Sequence, residues 1–471
     1  MKTSMGDPLN ESRRWLVLLA VGVGTFMSAL DGSVVNTVLP VIRQSFGSSV
    51  AAVEWVITVY LLTVSALLLT FGRLGDLRGH KAVYVAGFCV FVLGSALCGV
   101  APAAGTLVAF RGVQALGAAM LFANAPAILT KNFPAHRRGR VLGIAATMTY
   151  LGLTAGPSFG GWLAVLFGWR SVFYINVPIG LFALLLSVRF IPRDSAGRSE
   201  RFDAAGALTF LGGLVALLFA MNRGHAWGWG SPFVVGSLSG AGALLGVFLT
   251  VELRTRSPML DLDLFRNRMF SAATASALLN YVCLYSVLFL MPFYLIQGRG
   301  LNPAQAGLLM TAQPLVMAVA APLSGMLSDR IGSRLPGTLG MAVMSAGLYL
   351  LSRLGQQTPL SHAAAGLAVV GLGTGIFISP NSSALMGSAP LSRQGIASGI
   401  LATARNVGMV LGVGLAGAIF TTVLARSPGG QTAALFGAVA ASHRMACGVA
   451  VLAALASALR GRSSGAPSPR S

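Results

Sequence analysis

Acidic side chains are scarce in this chain: Asp and Glu together number 12 in 471 residues, against 33 Lys and Arg. Charged residues of both signs make up only 10%, where a soluble globular chain carries about 25%. That shortage excludes an ordinary water-soluble domain. Cysteine is scarce too. Cys89, Cys98, Cys283 and Cys447 all fall in apolar segments, and no CxxC exists. They read as small apolar packing residues rather than metal ligands or disulfide partners. His80, His136, His225, His362 and His443 are scattered without metal spacing. There is no GxxxxGK[ST] loop to hydrolyse nucleotide. Gly371-Leu-Gly-Thr-Gly375 lies in an apolar span and lacks the strand and the domain that a dinucleotide fingerprint needs. No enzyme constellation is present.

Apolar residues are what the chain has in abundance. They make up 55%, the mean hydropathy is +0.76, and runs longer than about 18 residues recur throughout. This is the composition of an all-α polytopic membrane protein. Runs of about 20 apolar residues predict fourteen transmembrane spans. The first begins at Trp15 and reads as a retained helix rather than a cleaved signal. An even count puts both tails on one side. The basic residues choose that side: Arg13, Arg14, Arg73, Arg78, Lys81, Lys131, Arg137, Arg138, Arg140, Arg330, Arg334 and the stretches 189–201 and 254–268 all fall with the tails. Such loops are cytoplasmic, so both termini are expected there. The net charge of +21 then reflects orientation and contact with anionic lipid headgroups rather than a nucleic-acid partner.

One decapeptide occurs twice. Gly72-Arg-Leu-Gly-Asp-Leu-Arg-Gly-His-Lys81 and Gly325-Met-Leu-Ser-Asp-Arg-Ile-Gly-Ser-Arg334 match at Gly72/Gly325, Leu74/Leu327, Asp76/Asp329, Gly79/Gly332 and Lys81/Arg334. Each is a charged, Gly-rich turn between apolar spans, and paired halves of this kind build many secondary transporters. The first copy follows span 2 and the second follows span 10. The offset implies six helices, two extra, then six. The expected organisation is a tail at 1–14, a six-helix bundle at 15–190 and a linker at 191–203. Two extra helices follow at 204–252, then a linker at 253–269, a second six-helix bundle at 270–460 and a disordered tail at 461–471.

Ionisable groups inside the bilayer are expensive and mark function. Asp31 and Glu54 are the acids that lie away from the cytoplasmic side. Asp31 lies about 24 Å into its span and Arg111 about 8 Å down from the outer end of span 4, so the two depths permit contact. Desolvation favours the neutral acid and a nearby Arg favours the carboxylate. An Asp between those influences takes up and releases a proton as water access changes. The plainer alternative for both residues is fixed helix packing. Glu54, at the start of span 2, is either a third proton-handling group or a solvated helix-start carboxylate. Arg405, deep in span 13, either meets an anionic partner or holds helix ends together. In span 5, Gly152, Gly156 and Gly160, with Gly161, allow close helix approach, and Pro157 permits a bend. Candidate cargo-lining groups are Tyr60, Asn124, Tyr150, Asn280, Tyr281, Tyr285, Phe289, Phe293, Gln313, Phe377 and Asn381. Aromatics with scattered amides suit apolar or cationic amphiphiles.

These motifs together resemble the major facilitator superfamily, and within it the fourteen-helix drug:proton antiporters, a group of bacterial multidrug exporters. Leu30-Asp31 to Pro40 resembles the group's first-helix motif, and Gly72 to Lys81 the superfamily's signature loop. Arg111-Gly-Val-Gln114-Ala-Leu-Gly117 resembles the fourth-helix motif linked to proton coupling. Gly152 to Gly161 resembles the fifth-helix antiporter motif, and Trp169-Arg170 to Gly180 the start of the sixth helix. The resemblance implies two six-helix bundles plus two helices between them. It implies a coupling site at Asp31 and Arg111, and a signature loop (Gly72, Arg73, Asp76, Arg78, Gly79, Lys81, with Asp329 and Arg330 in the second copy). Arg73 and Asp76 would stabilise the outward-facing state. The implied activity is export of hydrophobic or cationic small molecules against protons by alternating access. It would be powered by the proton gradient with no cofactor, by a monomer in the inner or plasma membrane. Met326 departs from the pattern where Arg73 stands, as does Glu54. A nutrient importer, a lipid or precursor flippase of the same fold and a non-transporting sensor are the alternatives. The Gly-Pro motif in span 5 argues against the importer.

Overall fold

The computed structural model describes residues 8–48, 50–193, 202–228, 230–255, 258, 260–426 and 431–459. The side chain of Glu54, most of the linker at 191–203 and the tail at 461–471 lie outside the described residues. What is described is helical, with no strand. Hydrocarbon offers no partner for backbone polar groups, so a spanning segment must satisfy them within itself, and the apolar runs become helices.

Six long helices come first: α1 (Pro8–Phe46), α2 (Val50–Arg78), α3 (His80–Val100), α4 (Ala104–Asn132), α5 (Arg138–Phe167) and α6 (Asn176–Phe190). Next come α7 (Ala204–Trp227) and α8 (Pro232–Arg254). The last six are α9 (Arg268–Pro292), α10 (Ala312–Ile331), α11 (Arg334–Ser352), α12 (Leu360–Ser388), α13 (Gln394–Arg426) and α14 (Gln431–Ala458). Among the described residues, 13 helices are long and apolar enough to cross a membrane. α5 bends by 46° between Gly156 and Phe159 and brings the number to 14 when taken as one span.

The chain divides into two compact units. The first holds Met1–Ala204, Arg256–Leu260 and Pro390–Ala402; the second holds Ala205–Thr255, Asp261–Ala389 and Thr403–Ser471. The expected extra pair, α7 and α8, thus groups with the later helices. One contact between them lies at Gly414 of α13, where the Met221 methyl of α7 fills the space a Cβ would need. Among the described residues, the first unit gathers apolar side chains into two cores. One gathers Met27, Tyr84, Phe88, Phe91 and Leu121; the other gathers Leu30, Val35, Ile42, Val56 and Phe173. The core of the second unit runs through Val287, Leu290, Met341, Met344, Leu367 and Phe377.

The repeated turn is the same structure twice. Gly79 has φ +90° and ψ 132°, and Gly332 has φ +84° and ψ 165°. That region of backbone space is essentially closed to side-chain-bearing residues, which explains why glycine stands at both positions. A second matched pair, missed by the sequence reading, lies further on. Pro134, Arg137, Gly139 and Gly143 correspond to Pro390, Arg393, Gly395 and Gly399. Each set forms a single 3-10 turn, Ala135–Arg137 or Leu391–Arg393, leading into α5 or α13.

Replacing Gly79 or Gly332 by Ala forces the unfavourable backbone and is expected to remove about 1–3 kcal/mol of stability. The check is the apparent Tm in detergent. Gly105, where an added Cβ meets open space, serves as the neutral Ala control.

Candidate functional site

Where the two cores of the first unit meet, α1 carries Asp31 and α4 carries Arg111, each 1% exposed. Arg111 Nη1 donates to Asp31 Oδ2 at 2.7 Å and to Gln114 Oε1 at 2.6 Å. Its Nε donates to the Val56 carbonyl at 3.2 Å. Arg111 and Gln114 are three residues apart and so share a helix face. Gln114 Nε2 donates to Asp31 Oδ1 at 3.0 Å and to Ser95 Oγ at 2.6 Å. Asn176 Nδ2, in the first turn of α6, donates to the same Asp31 oxygen at 2.8 Å. The guanidinium carbon lies 4.1 Å from the Tyr60 ring centre and 5.8 Å from that of Phe173, so π-faces cover the charge the hydrogen bonds do not reach. The Cys98 thiol sits 3.9 Å from Gln114 Oε1. Polar groups from α1, α2, α3, α4 and α6 therefore close on one buried ion pair.

α5 completes the surroundings of Asp31. Cβ atoms at Gly152, Gly156 and Gly160 would strike Phe26 to Leu30, Ser33 and Val34 of α1 respectively. Gly161 faces open space. Pro157 has no N–H for the Leu153 carbonyl one turn earlier. The Ser33 hydroxyl supplies the missing donor, at 2.9 Å. The bend in α5 is thus stabilised by a residue two positions from Asp31.

The first signature turn is a clasp. Asp76 Oδ1 accepts from the Gly395 N–H at 2.8 Å and Oδ2 from the Ile396 N–H at 2.9 Å. A carboxylate placed there satisfies orphan donors at the start of α13 and complements the helix dipole. Gly72 and Gly395 pack backbone to backbone, each without room for a Cβ. Lys81 Nζ donates to the Val188 and Ile191 carbonyls at 2.7 and 2.6 Å, closing the end of α6. Arg73 is buried and Arg78 exposed. In the second copy Asp329 is half-buried, and Arg330 and Met326 are exposed. The copies share a backbone but not a setting.

The expected cargo-lining residues have different settings. Tyr60 covers Arg111. Asn124 holds His80 Nδ1 at 2.7 Å and donates to the Phe71 and Met120 carbonyls. Tyr150 and Gln313 are buried. Asn280 donates to the Met341 and Met344 sulfurs, Asn381 donates to the Ala273 carbonyl, and Phe377 lies in the core. The remainder are half-buried. Tyr281 hydrogen-bonds the Arg405 side chain, with Tyr285 beside the pair. The Phe289 ring packs at a tilt against Phe293, and Phe293 does the same against Phe420. Sequence reasoning missed Ser95, read Cys98 as a packing residue, and assigned no role to Gln114 or Asn176 within the motifs that contain them. The available signal was the presence of polar side chains inside apolar runs.

The family model described as Major Facilitator Superfamily matches residues 21–413 and 273–467. The chain is similar to the riboflavin transporter RibZ of Clostridioides difficile, 36% identical over 420 residues, covering 88% of this chain and 89% of that one. It is similar to the multidrug resistance protein Stp of Mycobacterium tuberculosis, 33% identical, covering 87% and 76% of the two chains. Among solved structures, the human organic anion transporter MFSD10 superposes with a TM-score of 0.68 at 15% identity, covering 96% of this chain and 100% of that one.

Removing one member of a buried ion pair strands the other and is expected to destabilise by about 3–5 kcal/mol. Arg111→Gln should therefore lower the apparent Tm more than the double variant Asp31→Asn/Arg111→Gln does. A double-mutant cycle by thermal unfolding in detergent checks the non-additivity.

Proposed function

The chain belongs to the major facilitator superfamily, whose members carry small molecules across membranes, and on that premise we propose that it is a proton-coupled exporter of hydrophobic or cationic small molecules. It is a multi-pass membrane transporter, not an enzyme. The observation that carries the proposal is the Asp31–Arg111 pair, a carboxylate sealed among helices at 2.7 Å from a guanidinium. Structural packing alone is a poor reason to retain such a pair, because apolar side chains fill a buried volume at lower cost. Proton carriage is a reason.

In this mechanism a proton from outside neutralises Asp31 and releases Arg111 from its strongest partner. The α1–α5 interface, with its glycines and its bend at Pro157, answers the change. The Asp76 clasp on α13 holds one of the alternating states and opens in the other. A cationic cargo competes with Arg111 for Asp31; a hydrophobic cargo leaves coupling to the conformational change. The chain acts as a monomer in the plasma membrane with both termini cytoplasmic and basic loops against anionic lipid. Its six-plus-two-plus-six organisation uses the gradient itself and no cofactor. The similarity to a protein named for multidrug resistance supports this reading. A second reading, transport of a flavin-like heteroaromatic, is favoured by the 36% identity with a riboflavin transporter.

The test uses everted vesicles with an acidified interior, to which dyes, antibiotics and riboflavin are added while the pH gradient is followed. Proton efflux triggered by one compound and lost in Asp31→Asn is the expected result. A response to riboflavin alone selects the second reading. Silence toward every compound, with the protein folded and inserted, would favour a flippase or a sensor. A native response in Asp31→Asn would remove Asp31 from coupling.

A further inference from the structure

Every partner of Asp31 in the network is a donor. Oδ1 faces the amides of Gln114 and Asn176, and Oδ2 faces Arg111. This suits a carboxylate, which only accepts. A neutral carboxyl also carries an O–H, and a buried O–H without an acceptor is costly. Proton uptake at Asp31 thus requires an acceptor that the ionised arrangement does not present.

The acceptors nearby differ in availability. Gln114 Oε1 already holds Arg111, and Ser95 Oγ already accepts from Gln114. Turning Gln114 over would break both bonds. The hydroxyls of Ser28 and Tyr60 are buried without hydrogen-bond partners and make no bond to Asp31. Asn176 is different. Its Nδ2 already touches Asp31 at 2.8 Å, while its Oδ1 is buried with no hydrogen-bond partner. A half-turn of the amide exchanges two atoms of nearly equal size. It gives up one hydrogen bond to Asp31 and makes another in the opposite sense. The titratable groups facing Asp31 are Arg111 of α4, Tyr60 of α2 and Cys98 of α3; α5 approaches this stretch of α1 with Gly152 and Gly156.

The geometry points to Asn176 as a positioning residue that reads the protonation state of Asp31, donating to the carboxylate and, with its amide turned over, accepting from the carboxyl. The inference rests on the proton-coupling role proposed for Asp31. It ties the arrival of a proton on α1 to the first turn of α6, an element outside the ion pair itself. The atoms balance simply: the incoming proton stays on Asp31, and only a hydrogen bond changes direction.

Acid-minus-neutral infrared difference spectra of the full chain in lipid bilayers test this, with asparagine isotope-labelled at the side-chain carbonyl. The samples are the native protein, Asp31→Asn, Asn176→Leu and Asn176→Ser. In the native protein, acid should produce a carboxyl C=O band that is absent from Asp31→Asn. A labelled amide band should move to lower wavenumber with it and be absent from Asn176→Leu. The carboxyl band should lie at higher wavenumber in Asn176→Leu, as for an O–H without an acceptor, and return toward its native position in Asn176→Ser, whose hydroxyl both donates and accepts. An Asp31 band that forms without any amide change, and keeps its position in Asn176→Leu, overturns the role of Asn176 alone. No Asp31-dependent band at any pH overturns the coupling role of Asp31, and this inference with it.

Discussion

A carboxylate and a guanidinium in hydrocarbon must find every partner in protein, and five helices of the first unit are arranged around that requirement. α4 brings Arg111 and Gln114 on one face, α3 brings Ser95 to hold Gln114, α6 brings Asn176, and α2 lays Tyr60 over the charge. The glycines of α5 are a consequence of the same demand. They let α5 press on α1 around Asp31 where larger side chains would hold it away. An ion pair that is costly to bury thereby sets the spacing of the helices near it.

The two halves began as one pattern and now serve different ends. Both keep the glycine turn after the second helix and the 3-10 turn before the fifth. The first half has drawn its turn inward, with Arg73 and Asp76 buried and Asp76 closed on the start of α13. The second half leaves Met326 and Arg330 exposed. It also has no counterpart to Asp31: residues 264–471 contain a single acid, Asp329. Charge chemistry inside the membrane is concentrated in one half, while the other offers aromatics and Arg405.

Much of this was legible in the sequence because the bilayer restricts the choices. Apolar runs have to be helices, and their number and the repeated turn follow from hydropathy and glycine placement. Asp31 and Arg111 could be placed at compatible depths, since a helix rises a known distance per residue. The partners of the pair were not legible in the same way. Ser95 and Asn176 are ordinary polar residues until the helices are rotated into place, and rotation is not written in a hydropathy profile. The contact between Asp76 and Gly395 spans 319 residues and leaves no local trace except the repeated Pro-x-x-Arg-x-Gly turn. Asn124 looked like a cargo contact because an amide in an apolar span invites that reading. Its amide is instead occupied by His80 and two backbone carbonyls.

The hydroxyl of Ser33 on the Leu153 carbonyl has a consequence for ancestry. Proline at 157 creates an unmet acceptor on α5, and serine at 33 meets it from α1. The dependence runs one way: the proline without the serine leaves a bare carbonyl in hydrocarbon, whereas a serine without the proline can bond back to a carbonyl of its own helix. Across related chains, the proline on the fifth helix should therefore travel with a small hydroxyl on the first, while the hydroxyl can outlast the proline.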